Sequence, residues 1–87
     1  MDYEWDPTKA ALNLRKHRVD FADAVTVFAD PLAITMRDDR HAEDRFVTVG
    51  TDAQGQLFVV VFVWRGDTIR VISARRPSRL ERQQYEA

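Results

Sequence analysis

The sequence predicts an α+β fold in the order α-α-β-β-β-β-α, with its four strands forming an antiparallel sheet. Three observations support this fold class. Apolar residues recur with helical spacing in the first third of the chain, β-favouring residues dominate the middle, and a helix-capping pattern follows the last strand. The connections between consecutive strands are short, which favours antiparallel neighbours in a meander.

The length of 87 residues indicates one small domain that spans residues 1–87. Its 45% hydrophobic and 31% charged residues are ordinary for a globular protein and argue against disorder. The sequence has no apolar run long enough to span a bilayer, no signal-peptide pattern and no cysteine. We therefore expect a cytoplasmic protein that has no membrane contact, no disulfide and no thiolate metal site.

Two helices are predicted before the sheet. The first begins at Asp6-Pro7, an N-cap followed by proline at the first helical position, and runs to about His17. Its inward residues are predicted to be Ala10, Ala11 and Leu14, and its outward residues Lys9, Asn13 and Lys16. The second runs from the N-cap Asp20 to Asp30-Pro31, where proline ends it. Its apolar stripe has i, i+3, i+4, i+7 spacing and contains Phe21, Ala24, Val25 and Phe28.

Four strands are predicted next, over residues 32–36, 46–51, 57–64 and from 68 to the stop at Arg75-Arg76-Pro77. A charged loop (37–45) separates the first two, and hairpin turns at 52–55 and 66–67 join the others. The third strand is apolar at every position, so both faces of the sheet must be covered. The first two helices can cover one face, but the C-terminal helix is too small to cover the other alone. Either an outside partner completes that cover, or the chain buries both faces itself.

Five arginines lie across the junction between the last strand and the C-terminal helix: Arg70, Arg75, Arg76, Arg79 and Arg82. Ser78 and Glu81 form the capping box that begins this helix. Residues 45–87 carry seven arginines against four acids, whereas residues 1–44 carry six basic residues against ten acids. Such crowded guanidinium groups need anions among them. Either the chain's own carboxylates or an external phosphate chain supplies these anions.

Two long spaced patterns at the ends of the chain resemble the BrnT family, the toxin components of type II toxin–antitoxin modules. The N-terminal pattern comprises Trp5, Asp6, Lys9, Asn13, Lys16, His17, Val19, Phe21 and Ala24. The C-terminal pattern comprises Arg70, Ile72, Ser73, Ala74, Arg75, Ser78, Glu81, Arg82, Tyr85 and Glu86. One departure is Arg18, where many members have glycine, so the first helix is expected to end differently here.

The resemblance implies a RelE-like fold and a ribonuclease that slows translation. It also implies a partner antitoxin of the BrnA type, whose ribbon-helix-helix part binds operator DNA. Contact with DNA would therefore occur only through the antitoxin. We expect a hetero-oligomer with the antitoxin, and the toxin itself is a candidate dimer.

Metal-free RNA cleavage needs an acid/base group and cations around the phosphate. His17 is the acid/base candidate because its ordinary pKa lies near neutrality, although it could instead cap helix carbonyls or pair with a carboxylate. Arg70 and Arg75 are the candidates for the scissile phosphate, despite their opposite parity on the last strand. No cofactor is expected. The acidic loop (Asp38, Asp39, His41, Glu43 and Asp44) lacks a spacing that would fix a metal site.

Flanking RNA contacts are predicted for Lys9, Lys16, Arg76, Arg79, Arg82 and Tyr85. For the arginines the alternative is simple solvent exposure, and for Tyr85 it is packing on the sheet. A rival hypothesis is a non-catalytic subunit that acts as a co-repressor, with its arginines paired to acidic side chains of the antitoxin. A structure in which every arginine of the junction pairs with a carboxylate of its own chain would exclude the RNA-binding interpretation.

Overall fold

Five strands form one mixed sheet in the order β1-β5-β4-β3-β2. The computed structural model describes residues 1–87. The strands are β1 (Asp2–Glu4), β2 (Ile34–Asp38), β3 (Arg45–Thr51), β4 (Leu57–Arg65) and β5 (Thr68–Arg75). The α-helices are α1 (Pro7–His17), α2 (Phe21–Ala24) and α3 (Arg79–Glu86), and a 3₁₀ helix (Val25–Ala29) follows α2. None of these helices has the length and apolar character needed to cross a membrane.

The predicted α+β class is confirmed, but the prediction of a four-stranded antiparallel sheet is wrong. Strands β2 to β5 form the expected antiparallel meander. The additional strand β1 pairs in parallel with β5, with Tyr3 opposite Ile69. It has only three residues, which is too short for a recognisable alternation of apolar and polar positions.

The predicted helix starts are confirmed by their caps. The Asp6 carboxylate accepts a hydrogen bond from Thr8 N at 2.8 Å, and Asp20 accepts one from Ala22 N at 2.9 Å. Arg18 has φ 60 and donates its N–H to the Leu14 carbonyl at 2.9 Å. This is the left-handed cap that glycine usually provides, so the expected change at the end of α1 is wrong.

The second predicted helix is shorter than expected, because it remains α-helical only to Ala24 and then tightens into the 3₁₀ helix. The predicted orientation of α1 is also partly wrong. Asn13 is buried, whereas Leu14 is 45% exposed. The Asn13 side chain accepts from Ala74 N at 3.1 Å and donates to Ala74 O at 2.8 Å and to Val19 O at 3.1 Å. These bonds require Asn13 to face inward, toward the edge of β5.

The two faces of the sheet differ in how they are covered. On the face covered by the N-terminal helices, called the helical face, ten buried residues form the main core: Val19, Phe21, Ala24, Val27, Phe58, Val60, Phe62, Ile69, Val71 and Ala74. The opposite face, called the open face, has four buried apolar residues: Val49, Leu57 and Val59, which form a second cluster, and Val63. The helix α3 reaches this second cluster through Tyr85 and has no buried residue of its own. The long helices therefore shield one face, and α3 covers only part of the other.

Candidate functional site

A β-bulge places Arg70 and Arg75 on the same face of the sheet. Arg70 pairs with Val63 and Arg75 pairs with Val59, and the register shifts between Val61 and Phe62. Val59 and Val63 share a face because they are four residues apart on β4. Regular alternation along the strand would place these two arginines on opposite faces, and the bulge shows that this expectation is wrong. Both lie on the open face, about 13 Å apart along the strand direction.

Arg75 is held by Glu81 in a two-point ion pair. Its Nη1 and Nη2 atoms donate to the two Glu81 carboxylate oxygens at 2.7 and 2.8 Å. Glu81 also accepts from Ser78 N at 2.7 Å, which completes the capping box of α3. The hydrogen bond from Arg75 lowers the pKa of Glu81 to about 2. Glu81 thus joins the last strand to the last helix, a role that the sequence analysis did not assign to it.

The Arg75 guanidinium retains unused donors. Glu81 occupies the edge formed by Nη1 and Nη2, and Nη1 also donates to the Arg76 carbonyl at 3.3 Å. The Nε atom has no hydrogen-bond partner. Together with the second hydrogen of Nη2 it forms an edge that can donate to two oxygens of one anion. The hydrogen bond to Glu81 raises the pKa of Arg75 above its ordinary value, so the guanidinium stays charged. Arg75 is therefore an oriented cation with one free edge.

Two further arginines lie on the open face. Arg70 is 31% exposed and has only a loose ion pair, 3.8 Å, with Glu4. Arg45, which the sequence analysis placed in the charged loop, lies at the start of β3 in the alternation with Val47 and Val49. It is 28% exposed and pairs with Glu43 at 2.8 Å. That alternation was the signal that could have identified Arg45 in the sequence.

The arginines around α3 have no carboxylate partners. Arg76 lies over the Phe58 ring, with its Cζ atom 5.4 Å from the ring centroid, and reaches Gln56 at 3.4 Å. Arg76, Arg82 and Tyr85 line a cleft of about 400 Å³ beside the β3–β4 hairpin. Arg79 is exposed and lies outside this cleft. The chain's own acids therefore neutralise Arg75 closely, Arg70 loosely, and Arg76, Arg79 and Arg82 not at all.

Tyr85 packs against the open face and is fixed there by its hydroxyl. It donates to Asp30 Oδ2 at 2.6 Å, and the same carboxylate accepts from Thr51 N at 2.9 Å. The backbone hydrogen bond from Thr51 and the Tyr85 hydroxyl lower the pKa of Asp30 to about 2. The packing alternative for Tyr85 is therefore observed, with the ring against the second core cluster.

The largest cleft, about 500 Å³, lies on the other side of Asp30 and contains no predicted site residue.

His17 lies on α1, which covers the helical face, whereas Arg70 and Arg75 lie on the open face. It lies at the last position of α1, is half-buried, and takes part in none of the ion pairs or side-chain hydrogen bonds of the structure. Asn13, one turn earlier on the same side of α1, bonds to the residue before Arg75, so His17 lies near the carboxyl end of β5. Lys9 and Lys16 are exposed on α1.

The acidic loop is an ion-pair network instead of a cluster of free carboxylates. Arg37 pairs with Asp39 and Asp44, and Arg40 pairs with Asp38. His41 lies 3.7 Å from Asp38. No group of three or more His, Asp or Glu side chains is arranged to hold a metal ion.

The open face can bind an anion that carries several charges along its length. Arg70 and Arg75 lie at its β5 side, Arg45 lies across the sheet, and half-buried Val47 and Val61 form the floor between them. Guanidinium groups bind phosphate through paired N–H donors, so cations spaced along this face suit a polyanion.

Comparison with known proteins identifies the family of this chain. A family model described as "Ribonuclease toxin, BrnT, of type II toxin-antitoxin system" matches residues 5–81. The fold is similar to the crystal structure of the Brucella abortus ribonuclease toxin BrnT, with a TM-score of 0.70 and 28% sequence identity over 91% of this chain and 99% of that chain. A comparison with curated proteins gives no match. The family match covers most of the chain, so this chain belongs to the BrnT family of ribonuclease toxins of type II toxin–antitoxin systems.

Proposed function

We propose that this chain is a metal-independent endoribonuclease that cleaves single-stranded RNA and inhibits translation. The observation that carries the proposal is the bulge in β5, which directs Arg70 and Arg75 to one exposed face. In the proposed reaction the ribose 2′-hydroxyl attacks the adjacent phosphorus, and the bond from phosphorus to the 5′-oxygen breaks. The products are a 2′,3′-cyclic phosphate and a free 5′-hydroxyl.

Arg75 is assigned to the scissile phosphate. Its Nε–Nη2 edge donates to the two non-bridging oxygens while Glu81 keeps the other edge, so the guanidinium is oriented before RNA binds. Arg70 stabilises the same or the adjacent phosphate, since its bond to Glu4 is long enough to exchange easily. Flanking phosphates and bases are assigned to Lys9, Lys16, Arg76, Arg79, Arg82 and Tyr85.

His17 is assigned to proton transfer. Its position near the carboxyl end of β5 supports this assignment. Because Arg70 and Arg75 lie on the open face, RNA would reach around the β5 edge to meet all three residues. Replacement of a general acid or base lowers a rate by about 100-fold or more. A His17→Ala protein that cleaves at the wild-type rate would remove His17 from the mechanism.

The test uses purified, antitoxin-free protein and a short RNA in the presence of EDTA. Wild type is expected to cleave, and a matched oligonucleotide with a single 2′-deoxyribose at the cleaved position is expected to resist. Arg75→Ala and Arg70→Ala are expected to lose cleavage and remain folded. Failure of wild type to cleave in EDTA, with activity restored by a divalent cation, would contradict metal independence.

A charge-swap variant separates the structural role of Arg75 from its chemical role. In Arg75→Glu/Glu81→Arg the ion pair between β5 and α3 is re-formed with the charges exchanged. Because the swap also removes the Glu81 capping bond to Ser78 N, its stability is compared with that of Glu81→Arg alone. We expect the swap to recover part of the stability lost in that single variant but none of the cleavage. Recovery of both would mean that Arg75 acts only by holding α3.

A second candidate function is the co-repressor without catalysis, in which an antitoxin of the BrnA type neutralises the arginines. The observation in its favour is that Arg76, Arg79 and Arg82 have no carboxylate partner within the chain. Family membership implies an antitoxin partner, and the operator DNA would be reached through it. This hypothesis predicts that the purified protein degrades no RNA at any salt concentration.

A further inference from the structure

We propose that the antitoxin docks in the cleft between β2 and α3, through an acidic segment that inserts one large apolar side chain. The proposal rests on the proposed function, because it states how the arginine-bearing face of that ribonuclease is covered. The bound segment is a protein chain, recognised by an apolar anchor and by carboxylates on either side of it.

The cleft is suited to a single apolar side chain. It has a volume of about 240 Å³ and is lined by Ile34, Met36 and Val49 of the sheet and by Glu81, Gln84 and Tyr85 of α3. Its floor is aliphatic, and Tyr85 is its only aromatic residue. Single-stranded RNA favours aromatic platforms on which bases can stack, so this floor fits an aliphatic or aromatic protein side chain better.

Apolar surface extends outward from the cleft on both sides. Met36 is 46% exposed, and Leu80 is 64% exposed on α3. Leu80 adjoins the cleft because it is four residues before Gln84 on the same side of the helix. In addition, β2 is an edge strand, so its outer backbone groups have no partner strand. An extended segment can therefore hydrogen-bond to β2 while its side chain fills the cleft.

The charge next to the cleft selects an acidic partner. The last twenty residues contain five arginines and two glutamates, and Glu81 is already neutralised by Arg75. Arg82, one turn before the cleft residue Tyr85, is exposed on α3 and has no acidic partner, as is also true of Arg79 on the side of α3 away from the cleft. A second copy of this chain is disfavoured, because a two-fold interface would set these arginines against their own counterparts. Carboxylates of another protein would instead complement them.

Docking at this cleft would also block the proposed phosphate site. Glu81 lines the cleft and binds Arg75, so a segment in the cleft would lie one side chain away from the Arg75 guanidinium. Occlusion of Arg75 would neutralise the toxin without any change in its fold.

The test introduces a negative charge at the mouth of the cleft. Met36→Glu is compared with Leu12→Glu, a matched control that replaces a similarly exposed apolar residue on α1, and Leu80→Glu repeats the test from the α3 side. The probe is the cognate antitoxin, with binding followed by titration calorimetry and RNA cleavage measured separately. We expect Met36→Glu and Leu80→Glu to weaken antitoxin binding at least about tenfold and Leu12→Glu to leave it unchanged. Cleavage should be kept in Leu80→Glu and Leu12→Glu; Met36→Glu is used for binding alone, because Met36 pairs with Val47 on the floor of the proposed RNA site.

Three outcomes would overturn the proposal. Antitoxin binding by both cleft variants within about twofold of wild type would show that the anchor lies elsewhere. Loss of RNA affinity with intact antitoxin binding would assign the cleft to RNA, and loss of a wild-type dimer with intact antitoxin binding would assign it to self-association. If wild type binds the antitoxin through the cleft but cleaves no RNA, the docking proposal stands and the proposed ribonuclease function fails.

Discussion

At the scale of single residues, the Asn13 side chain takes the place of a strand at the edge of β5. The strand β1 covers only residues Thr68 to Arg70 of that edge. Farther along, the Asn13 amide bonds to both the N–H and the C=O of Ala74, as a neighbouring strand would. The third bond, to Val19 O, ties the α1–α2 connection to the same point. One amide therefore fixes α1, the connection and β5 beside the residue that bears the proposed phosphate contact.

Asn13→Ala is expected to destabilise the fold by about 3 kcal/mol, because it leaves three buried backbone groups without partners. Asn13→Asp is an isosteric comparison that can accept from Ala74 N but cannot donate to the two carbonyls. It should also be strongly destabilised at neutral pH. The measurement is urea unfolding, with Leu12→Ala on the exposed side of α1 as the control. A loss of less than about 1 kcal/mol in Asn13→Ala would mean that water replaces the amide.

The carboxylates of Asp30 and Glu81 fix the position of α3, so its docking should depend on pH. The folded pKa of each is lowered to about 2, from 3.8 for Asp30 and 4.5 for Glu81. A carboxyl group with a lowered folded pKa contributes stability above its unfolded pKa and loses it as the pH falls through the folded value. We therefore expect stability to decline between about pH 4.5 and pH 2.

Tyr85→Phe isolates the Asp30 part of this pH dependence. The variant loses the hydroxyl bond to Asp30 but keeps the ring against the sheet. It should be less stable than wild type at neutral pH, and the difference should shrink toward pH 2. Thermal unfolding over this pH range gives the measurement. A difference that stays constant with pH would show that the hydroxyl acts through another group.

At the scale of elements, the sequence was sufficient where a local pattern determines the structure. The start of β4 at Leu57, the Ser78–Glu81 capping box and the Asp6 and Asp20 caps were predicted because each depends on neighbouring residues. The strand β1 and the bulge at Ile72 depend instead on pairing with distant residues, and no glycine marks the bulge. The same limit applies to the site. The five arginines were visible in the sequence, but parity predicted opposite faces for Arg70 and Arg75 and did not identify the Arg75–Glu81 ion pair.

Gly50 permits the close approach of the 3₁₀ helix to β3. A Cβ atom at this position would lie 3.0 Å from Ala33 Cβ and 3.3 Å from both Val27 Cβ and Asp30 Oδ2. Gly50→Ala should therefore overpack the interface and cost about 1–3 kcal/mol. Gly55→Ala serves as the comparison, because Gly55 has open space around it and only a positive φ, +82, to oppose substitution. If chemical denaturation finds Gly50→Ala as stable as wild type, this contact is loose enough to accept a methyl group.

At the scale of the whole molecule, the net charge of −1 does not describe the local charge of the surface that would bind a polyanion. Acidic residues are concentrated in the first half of the chain, where several pair with arginines of the charged loop. The strand β5, the helix α3 and the connection between them carry five of the eleven arginines, and three of the five have no internal carboxylate. Binding to RNA should therefore be governed by these few cations and not by the overall charge.

The salt dependence of the RNA-binding constant should report how many of those arginines contact phosphates. Each phosphate contact on a single strand lowers the logarithm of the binding constant by about 0.7 per logarithmic unit of salt concentration. Contacts from Arg70 and Arg75 alone predict a slope of about −1.4, whereas contacts from all five junction arginines predict about −3.5. Fluorescence anisotropy with a non-cleavable 2′-O-methyl RNA measures this slope. Arg79→Gln should reduce its magnitude by about 0.7 if Arg79 binds a phosphate, and Arg15→Gln on α1 is the matched control. A slope near zero would contradict RNA binding by the junction arginines and would favour the protein-binding alternative.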